Sequence, residues 1–552
     1  MKKFAALFFM IFLSAFCYAE RDTGIWKFED RIAKCDKTVI KDIEKDLDNF
    51  EEHADEWYST EVPYRQFYFW VYDDNDNSII KKYLKAGNVK VVDFLISNFE
   101  YYQGIEYIED ACESGNKQII DYIFNYDDKH YGYSKYDAGK LCNKFGNTTN
   151  PVVLNAVARY CSKTLIKYNE ASTFYDFIEA YKDIFEYAVK NKIFDANVVI
   201  DDEPCLCLLM YGPKRFKPQE RIKLMKLLLD AGADINVIRD FKRNALFDAA
   251  EDNLEYIARF LIENGIDVTL QDESGETPLF VALRKENIGI AYMLIETGKG
   301  LNVISKDGYT PLSYVIYLDG QAFEVVAEKL IDAGADVNIN GKGVHTALCE
   351  ACDLNNFYLV KLLVEHGADV NLGSYNQKFY PLGEAVRHNN YEMVKYLIEH
   401  GAKVNVKNSI GTTEMFEIYA VSDTRIMDLL LEKGADINSR NNNGETPLFY
   451  AYILEDDACK IAEMLIKYGA DINALNNNNE TVLFEAFRTP ELVDFYIKKG
   501  VDISVVNKDG LTAYDYYLRK TAFSRDKKRK SEKDKAYEKS VKILKKAMDK
   551  KK

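Results

Sequence analysis

Asp73-Asp-Asn-Asp-Asn77 sets side-chain oxygens on alternate residues, as a calcium-binding loop does. Ser78 stands where such a loop needs its turn glycine, and Leu84 where it needs a bidentate glutamate, so the segment reads as a solvated acidic loop. Gly298-Lys-Gly300 and Gly341-Lys-Gly343 lack the upstream glycine spacing and the Ser/Thr after lysine that a phosphate cradle requires. Cys349-Glu-Ala-Cys352 places two thiols one helical turn apart, yet no second pair or histidine follows at zinc spacing. These two, like Cys205-Leu-Cys207, read as small core or surface cysteines. There is no His-Glu-x-x-His and no Gly-x-Ser-x-Gly. His366 and His400 end helices just before a glycine, where partial positive charge suits the helix dipole. No catalytic residue, metal ligand or cofactor is expected, and the chain is not read as an enzyme.

The elements that would carry any chemistry repeat. Glycines stand at Gly232, Gly265, Gly298, Gly334, Gly367, Gly401, Gly434, Gly469 and Gly500, most often opening Gly-Ala-Asp-Val/Ile-Asn, with spacings of 33, 33, 36, 33, 34, 33, 35 and 31 residues. A period near 33 implies helical units too small to bury their apolar faces without neighbours. In Gly275-Glu-Thr-Pro-Leu279, Thr277 is placed to cap a helix and Pro278 to open it, where a missing N–H costs nothing. Val360-Lys-Leu-Leu-Val-Glu-His-Gly367 is a second helix closed by a left-handed glycine. Between the helices Asn253, Asn287 and Asn389 are expected in that same conformation.

This unit closely resembles the ankyrin repeat. The resemblance implies an all-α solenoid of stacked helix-turn-helix units with short β-hairpin-like loops. The family's histidine after Thr-Pro-Leu is replaced here by Phe247, Phe280, Ser313, Cys349, Gly383, Phe449 and Phe484, so aromatic packing is expected to take over from a polar bond. Thr413-Glu414-Met415 and Thr481-Val482-Leu483 lose Thr-Pro, and their helix starts should be less well fixed.

Lys2 and Lys3, the apolar run from Phe4 to Phe16 and the small residue Ala19 form an export signal over residues 1–19; a lipidated Cys17 is disfavoured by the bulk of Phe16. The chain is therefore expected in the periplasm or the medium of a bacterium, whose AT-rich genome the Lys-, Asn- and Ile-rich composition suggests. Residues 20–77 read as an N-terminal helical cap holding all three tryptophans, and 78–200 as divergent ankyrin-like repeats that lose the turn signature from about 127. The regular array spans 201–517 and a basic helix and tail 518–552. Nine cysteines remain after the signal, at irregular spacings that imply no disulfide framework. From Arg519 to Lys552 there are 16 basic and 5 acidic residues on a chain of net charge −16, an acidic rod with a basic tail. The tail stripe Tyr537, Val541, Leu544 and Met548 could dock on the last repeat as a cap.

Stacked hairpins put the residue before each capping threonine on one edge: Arg243, Glu276, Tyr309, His345, Phe379, Thr412, Glu445, Glu480 and Leu511. At about 10 Å per unit they would line a ledge on the order of 90 Å long. What the resemblance implies is protein recognition along this concave edge and the adjacent inner helices, with Tyr309, Phe379 and Leu511 as exposed apolar anchors. The expected molecule is a monomeric exported scaffold that holds protein partners of basic or mixed charge, without a small-molecule substrate, nucleic acid or a membrane span after signal cleavage. The other open reading is a secreted effector or toxin whose residues 20–200 carry an activity that the repeats target.

Overall fold

In a computed structural model, residues 79–551 are described apart from 88, 90–91, 94–95, 97–104, 131, 213–215, 319, 343–344, 421–422, 454–456 and 523–531. The expected signal, the N-terminal cap, the acidic loop at Asp73–Asn77 and the Lys527–Lys530 run lie outside the described residues. Contacts divide the chain into two compact units, Met1–Ile235 and Asn236–Lys552. No described helix is long and apolar enough to cross a membrane.

The first unit comprises α1 (Ile79–Ala86), α2 (Ile105–Ser114), α3 (Lys117–His130), α4 (Lys135–Phe145), α5 (Pro151–Tyr168), α6 (Ala171–Lys190), the hairpin β1 (Val199–Ile200) and β2 (Glu203–Pro204), α7 (Cys205–Tyr211) and α8 (Pro218–Asp230). Asn150 caps α5 ahead of Pro151, and left-handed Asn169 closes it. Burial runs along α5 at Val153, Ala156, Val157, Tyr160, Cys161 and Leu165, a helical stripe. Tyr160 lies 4.8 Å from Tyr133 and 5.9 Å from Phe124, both edge-on. Phe185 makes the same kind of contact with Phe174 and Phe194. β1 and β2 are joined by Asp201 and Asp202, both at positive φ, the two-residue turn that matches strand twist.

The segment from 127 to 200 keeps more of the repeat than its sequence suggests. Lys192, at φ 56°, occupies the glycine's left-handed place, and Ile193 N–H donates to Ala188 O at 2.8 Å, as Ala233 N–H donates to Leu228 O at 2.9 Å. The turn persists there without its signature: a lysine supports the same backbone, at the cost a Cβ brings in that region.

The second unit alternates first helices of seven residues with longer second helices: α9 (Ala245–Glu251), α10 (Glu255–Glu263), α11 (Pro278–Arg284), α12 (Ile288–Glu296), α13 (Pro311–Tyr317), α14 (Gln321–Asp332), α15 (Ala347–Asp353), α16 (Phe357–Glu365), α17 (Pro381–Arg387) and α18 (Tyr391–Glu399). Then come a 3₁₀ turn at Glu414–Ala420, α19 (Thr424–Glu432), a 3₁₀ turn at Pro447–Ile453 and α20 (Ala458–Lys467). Short 3₁₀ turns at Val482–Phe484 and Ala486–Arg488, α21 (Pro490–Lys498), α22 (Ala513–Ala522) and α23 (Glu532–Lys551) complete the unit. The starts at Thr413-Glu414 and Thr481-Val482 are both 3₁₀, but so is Pro447–Ile453 behind an intact Thr446-Pro447, while Asn244-Ala245 and Thr346-Ala347, also without Thr-Pro, open α-helices. Proline alone does not decide the helix type.

Two local expectations fail. Thr277 makes no side-chain cap: its hydroxyl, like those of Thr446 and Thr481, is buried without a hydrogen-bond partner. Thr310 and Thr346 do cap, accepting from Ser313 N–H at 3.1 Å and Cys349 N–H at 3.2 Å. The third helical residue distinguishes the two groups: phenylalanine (Phe280, Phe449, Phe484) where the cap is lost, serine or cysteine where it forms. The rings instead pack across repeats, Phe280 on Tyr314 and Phe484 on Tyr516, each at 5.7 Å. Asn253 and Asn389 adopt the left-handed backbone at φ 54°, but Asn287 does not; Glu286 takes that place at φ 58°, freeing the Asn287 amide to donate to Ala250 O at 2.7 Å.

At its end α23 packs on α21 and α22, with Ser540 and Leu544 buried and Tyr537, Val541 and Met548 half-buried. Ser540 Oγ donates to Phe487 O, and Lys539 pairs with Glu491 at 2.6 Å.

Candidate functional site

The loops that carry eight of the nine ledge residues, all but His345, are built the same way. A polar residue four or five positions earlier donates its backbone N–H to the ledge residue's carbonyl: Arg239 to Arg243, Asp272 to Glu276, Ser305 to Tyr309, Ser374 to Phe379, Asn408 to Thr412, Asn441 to Glu445, Asn476 to Glu480 and Asn507 to Leu511, all at 2.9–3.0 Å. In most of these turns the same polar side chain accepts the ledge residue's N–H, as Asp272 Oδ1 does from Glu276 and Asn441 Oδ1 from Glu445. Successive loops then join edge to edge through one backbone bond each: Glu273 to Phe241, Lys306 to Ser274, Ser409 to Gln377, Asn442 to Ile410, Asn477 to Asn443 and Lys508 to Asn478.

A second ladder holds the helix-to-loop corners. The asparagine of Gly-Ala-Asp-x-Asn accepts from the aspartate N–H of the following repeat: Asn236 from Asp267, Asn302 from Asp336, Asn338 from Asp369, Asn405 from Asp436, Asn438 from Asp471 and Asn473 from Asp502, at 2.7–2.8 Å. Its amide donates onward to the next glycine's carbonyl, as from Asn405 to Gly434 O at 2.8 Å. Thr269 breaks the ladder, its hydroxyl turning back to Asp267. Asn197 makes both bonds, to Asp234 and Gly232, within the first unit. The recurrence of this asparagine was visible in the sequence; what its amide bridges was not.

Eight of the nine ledge residues are half-buried, held by their own first helix or by a neighbouring loop. Arg243 pairs with Glu251 at 3.1 Å and with Asp272 at 2.9 Å, and Glu276 with Arg284 at 3.4 Å. Tyr309 packs on Tyr314 and Tyr317; His345 meets Glu350 at 3.1 Å and stacks on Phe379 at 4.9 Å. Glu445 accepts from Tyr450 at 3.0 Å, Glu480 accepts from Asn507 at 3.0 Å, and Leu511 holds the same turn at the last repeat. Thr412 is buried, 6 % exposed, which corrects its place on an open surface: its short side chain lies at the floor of a cleft beside Phe379. Tyr309, Phe379 and Leu511 are likewise half-buried and not the exposed anchors expected of them: Tyr309 turns back onto Tyr314 and Tyr317 of its helix, and Phe379 onto His345 of the preceding loop. Exposure falls on Tyr317 and Tyr375, which are 51 % and 50 % exposed. Tyr317 belongs to a column that sequence reading passed over, eight residues after the ledge position: Glu251, Arg284, Tyr317, Asp353 and Arg387. Two helical turns of spacing is the signal that could have found it.

Charge gathers on α15 and α17. Glu350 and Glu384 are buried, and Arg387 pairs with both Glu384 and Asp353. Burial holds Glu384 above the ordinary carboxyl range, and the Glu350 carboxylate holds the His345 imidazole above its own. Among the described residues, His345, Glu350 and Asp353, and separately Asp353, Glu384 and His388, bring ligating atoms within 4.8 Å of one another. Arg387 already supplies the cation in the second group. Cys349 and Cys352 are fully buried, and burial pushes the Cys349 thiol up to about 12, so it is no thiolate at neutral pH. His366 and His400 cap their helices through ring nitrogens 2.8 Å from the Leu362 and Tyr396 carbonyls.

The family model for ankyrin repeats, in three copies, matches residues 217–307, 319–408 and 418–507. Among solved structures the chain is similar to the human ASB11 ankyrin repeat domain, at 24 % identity over 40 % of this chain and 96 % of that one, with a TM-score of 0.32. No curated protein matches. Three matched blocks, the left-handed glycine corners and the paired helices lead to one conclusion: this chain is an ankyrin-repeat protein.

Proposed function

We propose that this protein is an exported, non-catalytic scaffold that holds another protein along the ledge edge and inner helices of the second unit. Ankyrin repeats generally mediate protein–protein interaction. The observation that carries the reading is the double ladder, which sets ledge residues in register on repeated turns while their side chains vary from Arg243 to Leu511. Register without side-chain identity is what a recognition surface needs, since the framework is constant and specificity lies in the variable positions. Exposed Tyr317 is the aromatic side chain best placed to anchor a partner, with half-buried Tyr309 packed against it and half-buried Phe379 offering a ring edge farther along the ledge.

Export rests on Lys2, Lys3 and the Phe4–Phe16 run. The test is capture of a partner from the periplasm or medium by the full chain, with Tyr309→Ala/Phe379→Ala as the comparison. Loss of a partner on the double substitution is expected. Equal capture by both proteins, or a native chain found wholly in the cytoplasm on fractionation, would contradict the reading.

A further inference from the structure

Two departures from the repeat pattern meet at one place. Gly383 stands where other repeats carry Phe280, Ser313, Cys349 or Phe449, and Glu414 stands where they carry the helix-opening proline. Both line the cleft between successive loops, together with Phe379, Glu384, Thr412 and Glu417 and with two lysines, Lys378 and Lys403. A Cβ built on Gly383 would meet nothing within 4 Å, so the cleft is open because the side chain is missing.

Glu414 is only 5 % exposed, and its carboxylate accepts the Asn405 N–H, with both oxygens at 3.0 Å. The neighbouring buried glutamates are compensated by charge: Glu384 by Arg387 and Glu350 by His345. Among the described residues Glu414 has no cation within ion-pair distance. Lys378, on the rim, lies instead over the Phe379 ring at 5.0 Å. A buried carboxylate without a counter-charge is costly, and burial accordingly pushes Glu414 above its usual range. The cleft therefore offers a desolvated anionic floor, an aromatic mouth and empty space between them, features that favour a cationic side chain through charge-assisted hydrogen bonding and cation–π contact.

We propose that this cleft is a socket for a lysine or arginine side chain of the bound protein, seated against Glu414 with Phe379 at its mouth and room supplied by Gly383. The inference rests on the scaffold reading and names the chemistry its partner must present. The acidic balance of the chain would draw such a partner in.

The probe is a fluorescein-labelled Arg-Gly-Arg-Gly-Arg peptide, followed by anisotropy with the full chain at physiological salt. Glu414→Gln and Gly383→Leu should each weaken it about tenfold, one by removing the charge and the other by filling the space. Glu485→Gln removes one charge from a half-buried glutamate outside this cleft, and should change the affinity less than twofold. Thermal melts verify that the Gly383→Leu protein folds; Gly383→Ser, a smaller obstruction already used in the Ser313 repeat, should weaken the peptide by an intermediate factor. Equal losses in all variants mean nonspecific attraction, and abolition of binding by a chelator means a metal ion in the cleft; either overturns the socket. If a captured partner is lost with Tyr309→Ala but kept with Glu414→Gln, the socket falls while the scaffold reading stands.

Discussion

The two units solve one problem by different means. In the second, a regular ladder of backbone groups and one recurring asparagine joins neighbouring repeats, ring contacts such as Phe280 on Tyr314 are added to it, and seven-residue first helices suffice. In the first, α5 runs to 18 residues, α6 breaks at the non-helical Tyr181, and large buried rings carry the packing: Tyr160 bridges α5 to Phe124 of α3, and Phe185 sits between Phe174 and Phe194. The difference is one of where the holding energy resides. A polar ladder spreads it over many bonds of about 1 kcal/mol each, whereas aromatic burial concentrates it in a few side chains. Ladders leave side chains free to vary, and that is why the variable ledge lies in the second unit.

The sharpest way to break this comparison is to cut one ring from the first unit. Tyr160 is buried, touches Tyr133 and Phe124, and accepts from Ser134 N–H at 3.3 Å. Tyr160→Ala should destabilise residues 105–190 by about 3–5 kcal/mol, read as faster local hydrogen exchange by mass spectrometry. Protection unchanged in α4 and α5 would show that the rings are not what hold this unit.

A cut in the ladder should cost less. Asn405 bridges Asp436 N–H and Gly434 O. Asn405→Ala removes both bonds from an exposed corner and places alanine in a left-handed backbone at φ 64°, and the two together should cost about 1–2 kcal/mol, measured by urea unfolding of the full chain. A loss as large as that of Tyr160→Ala would mean the ladder is not distributed. No loss at all would leave the short first helices without an explanation.

What the sequence disclosed follows the same division. The second unit was legible because its joints use residues of narrow conformational choice: glycine at the corner, asparagine on the rung, proline at the helix start. The joints of the first unit were obscured because a lysine, Lys192, sits in the glycine's place and rings replace the turn residues as the adhesive. Within the site, the ledge column followed from spacing alone, but the direction of its side chains depended on loop closure across five residues. Thr412 and Tyr309 were therefore assigned more exposure than they have. The cap attributed to Thr277 failed for a related reason, since the partner that decides it is the third helical residue rather than the threonine itself.

The smallest effect tests whether the exception at Glu414 is an electrostatic one. Its folded form is held above the usual 4.5 by burial, opposed by the Asn405 N–H. A carboxyl with a raised folded value retains its proton more readily in the native state, so the native state is favoured below about pH 4.5 and loses that advantage as pH rises through the raised value. At neutral pH the wild type therefore bears the cost of a buried charge. Glutamine keeps an acceptor for Asn405 and carries no charge, so Glu414→Gln should raise stability on the order of 1 kcal/mol at pH 7, with the gain fading as pH falls to 4. Urea unfolding at the two pH values reads the difference. A gain of equal size at both would assign the cost to packing instead of charge, and Glu414 would then be an ordinary member of the ladder it borders.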